Sequence, residues 1–159
     1  PAAVERAERL LVTLGALTPP ANDPTDLDIG SLGLGHSDLT DIGRQMLRLP
    51  MHPRYSRMLV EASRRGCVPA AALCAALTSG RDLLVRVGRE ESHIKEAREL
   101  FEGGNASDFH TLMRAFQFAK NAGFDVNQCR RHGIHAQNAH QVDDTFRQIL
   151  QIAEREGLV

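Results

Sequence analysis

Leu39–Leu59, LTDIGRQMLRLPMHPRYSRML, is the stretch that decides the fold. Thr40 is an N-cap candidate in front of a short apolar-periodic run, so a helix is expected from there through Leu49. Pro50 and Pro53 interrupt the chain, and Pro53, at a first-turn position, opens a second helix that should stop at Gly66. At about 100° per residue, Arg54, Arg57, Glu61 and Arg64 fall in one stripe of that helix, with Arg65 beside them. Tyr55, Met58, Leu59 and Ala62 form the adjoining apolar stripe. The apolar side must pack against a core, whereas the charged side is free to meet a partner that carries negative charge.

Working outward in both directions, the pattern stays helical. Ala3–Leu14 places Val4, Ala7, Leu11 and Leu14 on one face and has Gly15 near its end. Pro19–Ser37, rich in Pro, Gly and Asp, reads as a loop with at most short strands around 27–29 and 32–34. Beyond Gly66, Pro69 starts an apolar helix, PAAALCAAL, that ends at Ser79-Gly80 and belongs in the middle of a bundle. After Gly88, Glu90–Glu102 is helical by propensity with Ile94, Ala97 and Phe101 inward, and Gly103-Gly104-Asn105 breaks it. Ser107 caps a helix to Asn121 whose packed stripe is Phe109, Leu112, Met113, Phe116 and Ala119. Phe118 lies on the opposite side and needs a second contact. Asp125–His132 is a short helix ended by Gly133. The last helix, Ala136–Glu156, carries the seam Val142, Phe146, Ile149, Leu150 and Ala153. Gly157-Leu158 has the form of a C-terminal cap with its hydrophobic clip. The expected fold is all-α, a helical bundle from Pro53 onward preceded by a smaller helical piece.

Composition sets the outer bounds. A chain of 159 residues with 42% hydrophobic and 25% charged residues is an ordinary globular chain, one domain or two small ones. With no Trp, one Tyr and six Phe, the core must rest on aliphatic side chains. The net charge is −1, yet the charges are segregated. Arg44–Arg65 holds six arginines against Glu61 alone, and Asp23–Asp41 is wholly acidic. Such asymmetry can steer a phosphate backbone onto one face without a high pI. Three cysteines are an odd number and make no disulfide framework, so Cys67 and Cys74 are read as buried thiols of a reducing cytosol. No segment has the ~20 apolar residues of a membrane span. The start, PAAVERAERL, lacks a signal peptide's apolar core and an initiator Met, so the chain is expected to be a cytoplasmic piece of something longer.

Most enzymatic signatures are missing. GxxxxGK[ST], GxGxxG, GxSxG and HExxH do not occur, and Gly33-Leu34-Gly35 lacks the strand-to-helix setting of a phosphate loop. Cys129, His132 and His135 offer N and S donors three residues apart, but Gly133 interrupts them and no second pair completes a tetrahedral zinc set. They are read as a packed Cys and two solvent-facing His. Asp143-Asp144, Glu90-Glu91 and Glu154 are read as solvated carboxylates, with no cleft to raise a pKa. Arginine outnumbers lysine seventeen to two. A solvated charged face explains one Arg stripe, but Arg130, Arg131 and His132, followed by His135, Gln137 and Asn138 at a helix start, make a second basic cluster. Arg side chains beside free helix N–H groups suit phosphate contact. Without interleaved aromatic platforms, binding would run through the backbone and be largely sequence-blind.

The whole pattern resembles DEAH-box/RHA-type ATP-dependent helicases at the junction between winged-helix and helicase-associated "ratchet" domains. LTDIGR and LPMHPR match that family's LT-x-x-G-R and L-P-x-x-P-R, and the following helix ends at Gly66-Cys67. AERLLVTLGAL resembles the last part of the winged helix. Ser107-Asp108-Phe109 with Leu112 resembles the start of a ratchet helix, and Gln128-Cys129-Arg130-Arg131 with Arg147-Gln148-Ile149 resembles the family's WCR-to-QL stretch. Pro19–Ser37 is longer than the family's turn, Gln128 stands where the family favours Trp, and 133–137 replaces a more aromatic, Arg-containing segment. The resemblance implies a partial winged-helix domain over 1–50, with a loop insertion at 19–37, and a ratchet-like bundle over 51–159. It also implies that ATP and Mg are held by two RecA-like motor domains outside this chain. The chain itself would need no cofactor or metal and would be non-catalytic, walling a channel for single-stranded RNA or DNA, RNA favoured. Arg54, Arg57, Arg130, Arg131, His135 and Asn138 are the residues expected at the strand or the motor. The other reading is a docking module whose Arg stripe and Phe118 engage an acidic protein.

Overall fold

The computed structural model describes residues 2–19, 38–86, 92–101 and 107–159. The strands expected within 19–37, Gly33-Leu34-Gly35, Gly88, Glu90-Glu91 and the 103–105 break lie outside the described residues. Every regular element among the described residues is an α-helix, as the periodicity dictates. Contacts divide the chain into two compact units, Pro1–Gly66 with Glu156–Val159, and Cys67–Arg155.

The first unit is built from α1 (Ala2–Thr13), α2 (Asp41–Leu47) and α3 (Pro53–Arg64). Gly15, at φ +72°, turns the chain out of α1 in the left-handed region that favours glycine. Leu17 then pairs with Leu39 in an isolated antiparallel bridge, and the Thr18 N–H donates to the Asp38 carbonyl at 2.9 Å. Thr40 locks this crossing. Its hydroxyl accepts from the Gly43 N–H at 3.0 Å, capping α2, and donates to the Gly15 carbonyl at 2.6 Å. Gly43 has no room for a side chain, because a Cβ there would overlap the Ala16 carbonyl oxygen and crowd Leu39. The Thr and Gly of the LT-x-x-G-R motif are thus a cap and a close approach.

Leu49 is buried at the end of this turn, and His52 Nδ1 accepts from the Arg54 N–H to cap α3. Leu59, Val60, Ala62 and Ser56 bury the inner face of α3. That face packs on α2, so the contacts place α3 in the first unit, whereas the sequence places a domain boundary at residue 50. Glu156–Val159 closes the unit: Glu156 takes Arg48 at 2.9 Å, and Ser63 Oγ donates to the Leu158 carbonyl at 2.7 Å. Val4, expected on a packed face, is exposed, and α1 has no fully buried residue.

The second unit comprises α4 (Val68–Ser79), α5 (Ser92–Glu99), α6 (Asp108–Asn121), α7 (Val126–Arg131) and α8 (Ala136–Arg155). Apolar α4 is central, packing on α8 and α6 with Ala72, Ala75 and Ala76 almost wholly buried. The buried residues of α8 are Ala139, Val142, Asp143, Ile149 and Ala153. Alanines on both helices allow the backbones to approach closely, and larger side chains fill the ends. Residues 83–85 pair with 133–135, through the Leu84–Ile134 bridge and the bonds Val85 N–H to Gly133 O, 2.8 Å, and His135 N–H to Leu83 O, 2.9 Å. Gly133, at φ +65°, makes the turn between α7 and α8.

Several expectations are corrected here. Phe109, assigned to the packed stripe of α6, is exposed, because full burial on that helix begins only at Ala115. Ser107 occupies the N-cap position without a side-chain cap bond. Cys67, read as buried, is exposed because it is the residue that precedes α4 and not part of its packed face; Cys74 is half-buried and Cys129 buried. Phe118 finds its second contact in the rings of Phe101 and His132.

Replacing Gly43 by Ala tests the α1–α2 crossing. Overpacking against a backbone carbonyl should cost about 1–3 kcal/mol. Thermal unfolding of the variant should show a midpoint lowered by several degrees, and an unchanged midpoint would mean that the crossing is not tight.

Candidate nucleic-acid interface

The expected site residues fall on both units. In the first, Arg54 stands exposed in the first turn of α3 and forms no ion pair among the described residues. Arg57 is different. Its side chain is half-buried, its Nε donates to the Leu14 carbonyl at 3.0 Å, and it reaches Glu61 at 3.3 Å. It therefore satisfies a carbonyl left open at the end of α1. Arg64 and Arg65 also converge on Glu61, at 3.4 and 2.8 Å. Most of the stripe is thus organised around one carboxylate, and Arg54 is its outlying cation.

Hydrogen bonding from Arg65, then from Arg57, holds the Glu61 carboxyl below its ordinary value of 4.5, outweighing the opposing effect of burial. A carboxylate with a lowered folded-state pKa adds stability above its unfolded value, and that stability is lost as pH falls through the folded value.

In the second unit, Asp125 Oδ1 accepts from the Gln128 N–H at 2.8 Å and caps α7, while Cys129 anchors the helix in the core. Burial, followed by the nearby Asp125 charge, pushes the Cys129 thiol up, which disfavours the thiolate. Arg130 and Arg131 occupy the last turn of α7, where the helix dipole favours cations. Both are exposed and form no ion pair among the described residues. His135 is exposed just before α8. Asn138 is half-buried and its amide donates to the Asp82 carbonyl at 2.8 Å, so that group secures the 82–85 segment. Arg130, Arg131 and His135 are each exposed within six residues of sequence across the α7–α8 turn, with Gly133 and Ile134 buried between them.

Of the two His read as solvent-facing, His132 is corrected. Its ring lies 4.2 Å from Phe118 and 6.1 Å from Phe101 by centroids, and Nδ1 bonds the Gln128 carbonyl at 2.9 Å. Among the described residues no three His, Cys, Asp or Glu stand together as metal ligands. A groove of about 230 Å³ between the end of α4 and α8 is lined by Ser79, Arg81, Gln141 and Gln148 among others, below the ~300–1,000 Å³ of small-molecule pockets. No described helix is long and apolar enough to cross a membrane.

Asp143 is the residue that sequence reasoning misplaced. Read as solvated, it is 2% exposed and takes Lys120 on Oδ1 at 2.9 Å and Arg147 on Oδ2. Its neighbour Asp144 is exposed and pairs with His140 at 3.1 Å. The available signal was spacing, since Asp143 follows Val142 on the apolar seam and Arg147 sits four residues on.

The Glu61 arrangement gives a pH test. The difference in unfolding midpoint between the native chain and Glu61→Gln should be steady above about pH 5 and shrink as pH falls below the carboxylate's ordinary value. A difference independent of pH would show that the arginines do not act through the Glu61 charge.

Two adjoining family descriptions match the chain: "Helicase associated domain (HA2), winged-helix" over residues 7–51, and "Helicase associated domain (HA2), ratchet-like" over residues 52–125. The chain is 29% identical over 161 aligned positions to the DExH-box ATP-dependent RNA helicase DExH1 of Arabidopsis thaliana, covering 99% of this chain. It is 33% identical over 145 positions to the probable ATP-dependent RNA helicase DHX37 of Homo sapiens, covering 80% of this chain. It is 26% identical over 161 positions to the ATP-dependent RNA helicase HrpA of Escherichia coli strain K12, covering 98% of this chain. The chain spans only 14%, 12% and 12% of those three proteins. The LT-x-x-G-R crossing and the bundle behind it therefore belong to the helicase-associated region, winged-helix part followed by ratchet-like part, of the DEAH-box helicase family.

Proposed function

We propose that this chain is the non-catalytic part of an ATP-dependent helicase that guides a single strand of RNA past a motor built by other domains of the same protein. The observation that carries the reading is the exposed Arg130–Arg131 pair, without an ion pair among the described residues, on a helix anchored by Cys129, with exposed His135 four residues further on. Guanidinium groups that no local carboxylate neutralises attract phosphates at any base sequence. The relatives are named as ATP-dependent RNA helicases, which favours RNA over DNA as the strand.

ATP and Mg belong, on this reading, to RecA-like motor domains of the parent protein. The residues of this chain do not suit the nucleotide, since no GxxxxGK[ST] occurs in it. The chain then acts by position: cations hold phosphates loosely, and packing against the motor couples its opening and closing to the strand. Three free cysteines, one of them exposed, suit a reducing compartment such as the cytoplasm. Docking of an acidic protein has less support, because Phe118 is engaged by Phe101 and His132, and Glu61 already binds three of the stripe's arginines.

Fluorescence anisotropy with a labelled single-stranded RNA tests the reading. Arg130→Glu should weaken binding on the order of tenfold, and Arg54→Glu should also weaken it. Full-strength binding in both variants would favour protein docking. ATP turnover by this chain should stay at buffer background, and turnover above it would contradict the non-catalytic assignment.

A further inference from the structure

The ion cluster on Asp143 contains more positive charge than its burial requires. One buried carboxylate needs one counter-charge, and Lys120 Nζ at 2.9 Å from Oδ1 supplies it. Arg147 adds a second cation on Oδ2, leaving the group with one net positive charge. Neither cation is hidden: the Lys120 side chain is 38% exposed and that of Arg147 is 68% exposed. Lys120 is held further by the rings of Phe116 and Phe146, whose centroids lie 5.9 and 5.8 Å from Nζ. Those two rings pack edge to face at 6.5 Å. The next acid along the helix, Asp144, is exposed and is bonded by the His140 ring at 3.1 Å, and it forms no ion pair with Lys120 or Arg147 among the described residues.

Fixing two flexible cations side by side costs side-chain entropy and sets like charges near each other. A cross-link between α6 and α8 would need only the lysine. We infer that Lys120 and Arg147, held in place by buried Asp143, form a phosphodiester-binding subsite. Each cation keeps N–H donors that Asp143 does not use, two on the ammonium and several on the guanidinium. A backbone phosphate placed against them completes the charge balance as a charge-assisted, multidentate contact. The donors are positioned before the ligand arrives, so little ordering remains to be done on binding. This inference rests on the strand-guiding reading and adds to it a grip separate in sequence from Arg130 and Arg131.

Arg147→Gln is the decisive variant, because it removes the exposed cation and leaves the Lys120–Asp143 pair intact. Single-stranded RNA binding should weaken about three- to tenfold, the loss of one charge-assisted phosphate contact. The midpoint of thermal unfolding should stay close to that of the native chain. In the native chain, adding the RNA should shift the Arg147 Nε–Hε signal in a ¹H–¹⁵N spectrum, and inorganic phosphate at equal concentration should shift it far less. RNA binding equal to that of the native chain, with or without a lowered midpoint, would overturn the subsite and leave Arg147 a helix-to-helix staple. An equal shift from inorganic phosphate would overturn the strand as its ligand. If the native chain bound no strand at all, the guiding function itself would fail, an outcome distinct from these.

Discussion

The seating of alanine-rich α4 against α8 is the contact on which the second unit depends. Ala72, Ala75 and Ala76 are buried on α4 and Ala139, Val142, Ile149 and Ala153 on α8, and side chains as small as these alanines let two packed helices approach closely. With no charged residue on α4, the unit's charge must come from its other helices and the turns between them. The α7–α8 turn is fixed in its turn by backbone pairing to residues 83–85 and by the Asn138 bond to Asp82. Arg130 and Arg131, in the last turn of α7, stand next to that fixed turn.

The aromatic side chains point to the same mode of binding. Phe101, Phe118 and His132 pack on one another, Phe116 meets Phe146, and Phe124 meets His140. Rings engaged in this way do not serve as stacking platforms for bases. Phe109 is exposed and packs on no ring among the described residues. Under the strand-guiding proposal the groups offered to a strand are chiefly cations: Arg130, Arg131 and Arg54, which form no ion pair among the described residues, and the excess charge on buried Asp143. Cations of this kind would hold a moving polymer weakly and without regard to sequence, as the proposed passage of a strand advanced by a motor requires.

Helix positions were legible in the sequence because their ends carry local chemistry: Thr40 caps α2, Pro53 opens α3, and Gly15, Gly66, Gly133 and Gly157 sit at positive φ where helices stop. Roles of charged side chains were less legible, because they depend on what a neighbouring helix brings. Nothing local to Arg57 announces that it will cap α1 through Leu14, forty-three residues earlier. Asp143 looks like any surface acid until α6 delivers Lys120 to it. Asn138, which its place at a helix start marks for strand or motor contact, also gives its amide to the Asp82 carbonyl, a bond the sequence does not announce. Arg130 and Arg131 were easier to read, since two adjacent arginines at the end of a six-residue helix have no acid within reach along the chain.

Sequence-blind capture through phosphates is the claim on which the functional account turns, and the salt dependence of binding measures it directly. Affinity for single-stranded oligo(U) and oligo(A) should be titrated across ionic strengths. The account predicts straight lines of log K against log [salt], falling by about 0.7 for each phosphate contacted, with nearly coincident lines for the two sequences. Affinity that ignores salt, or that separates the two sequences widely, would contradict it.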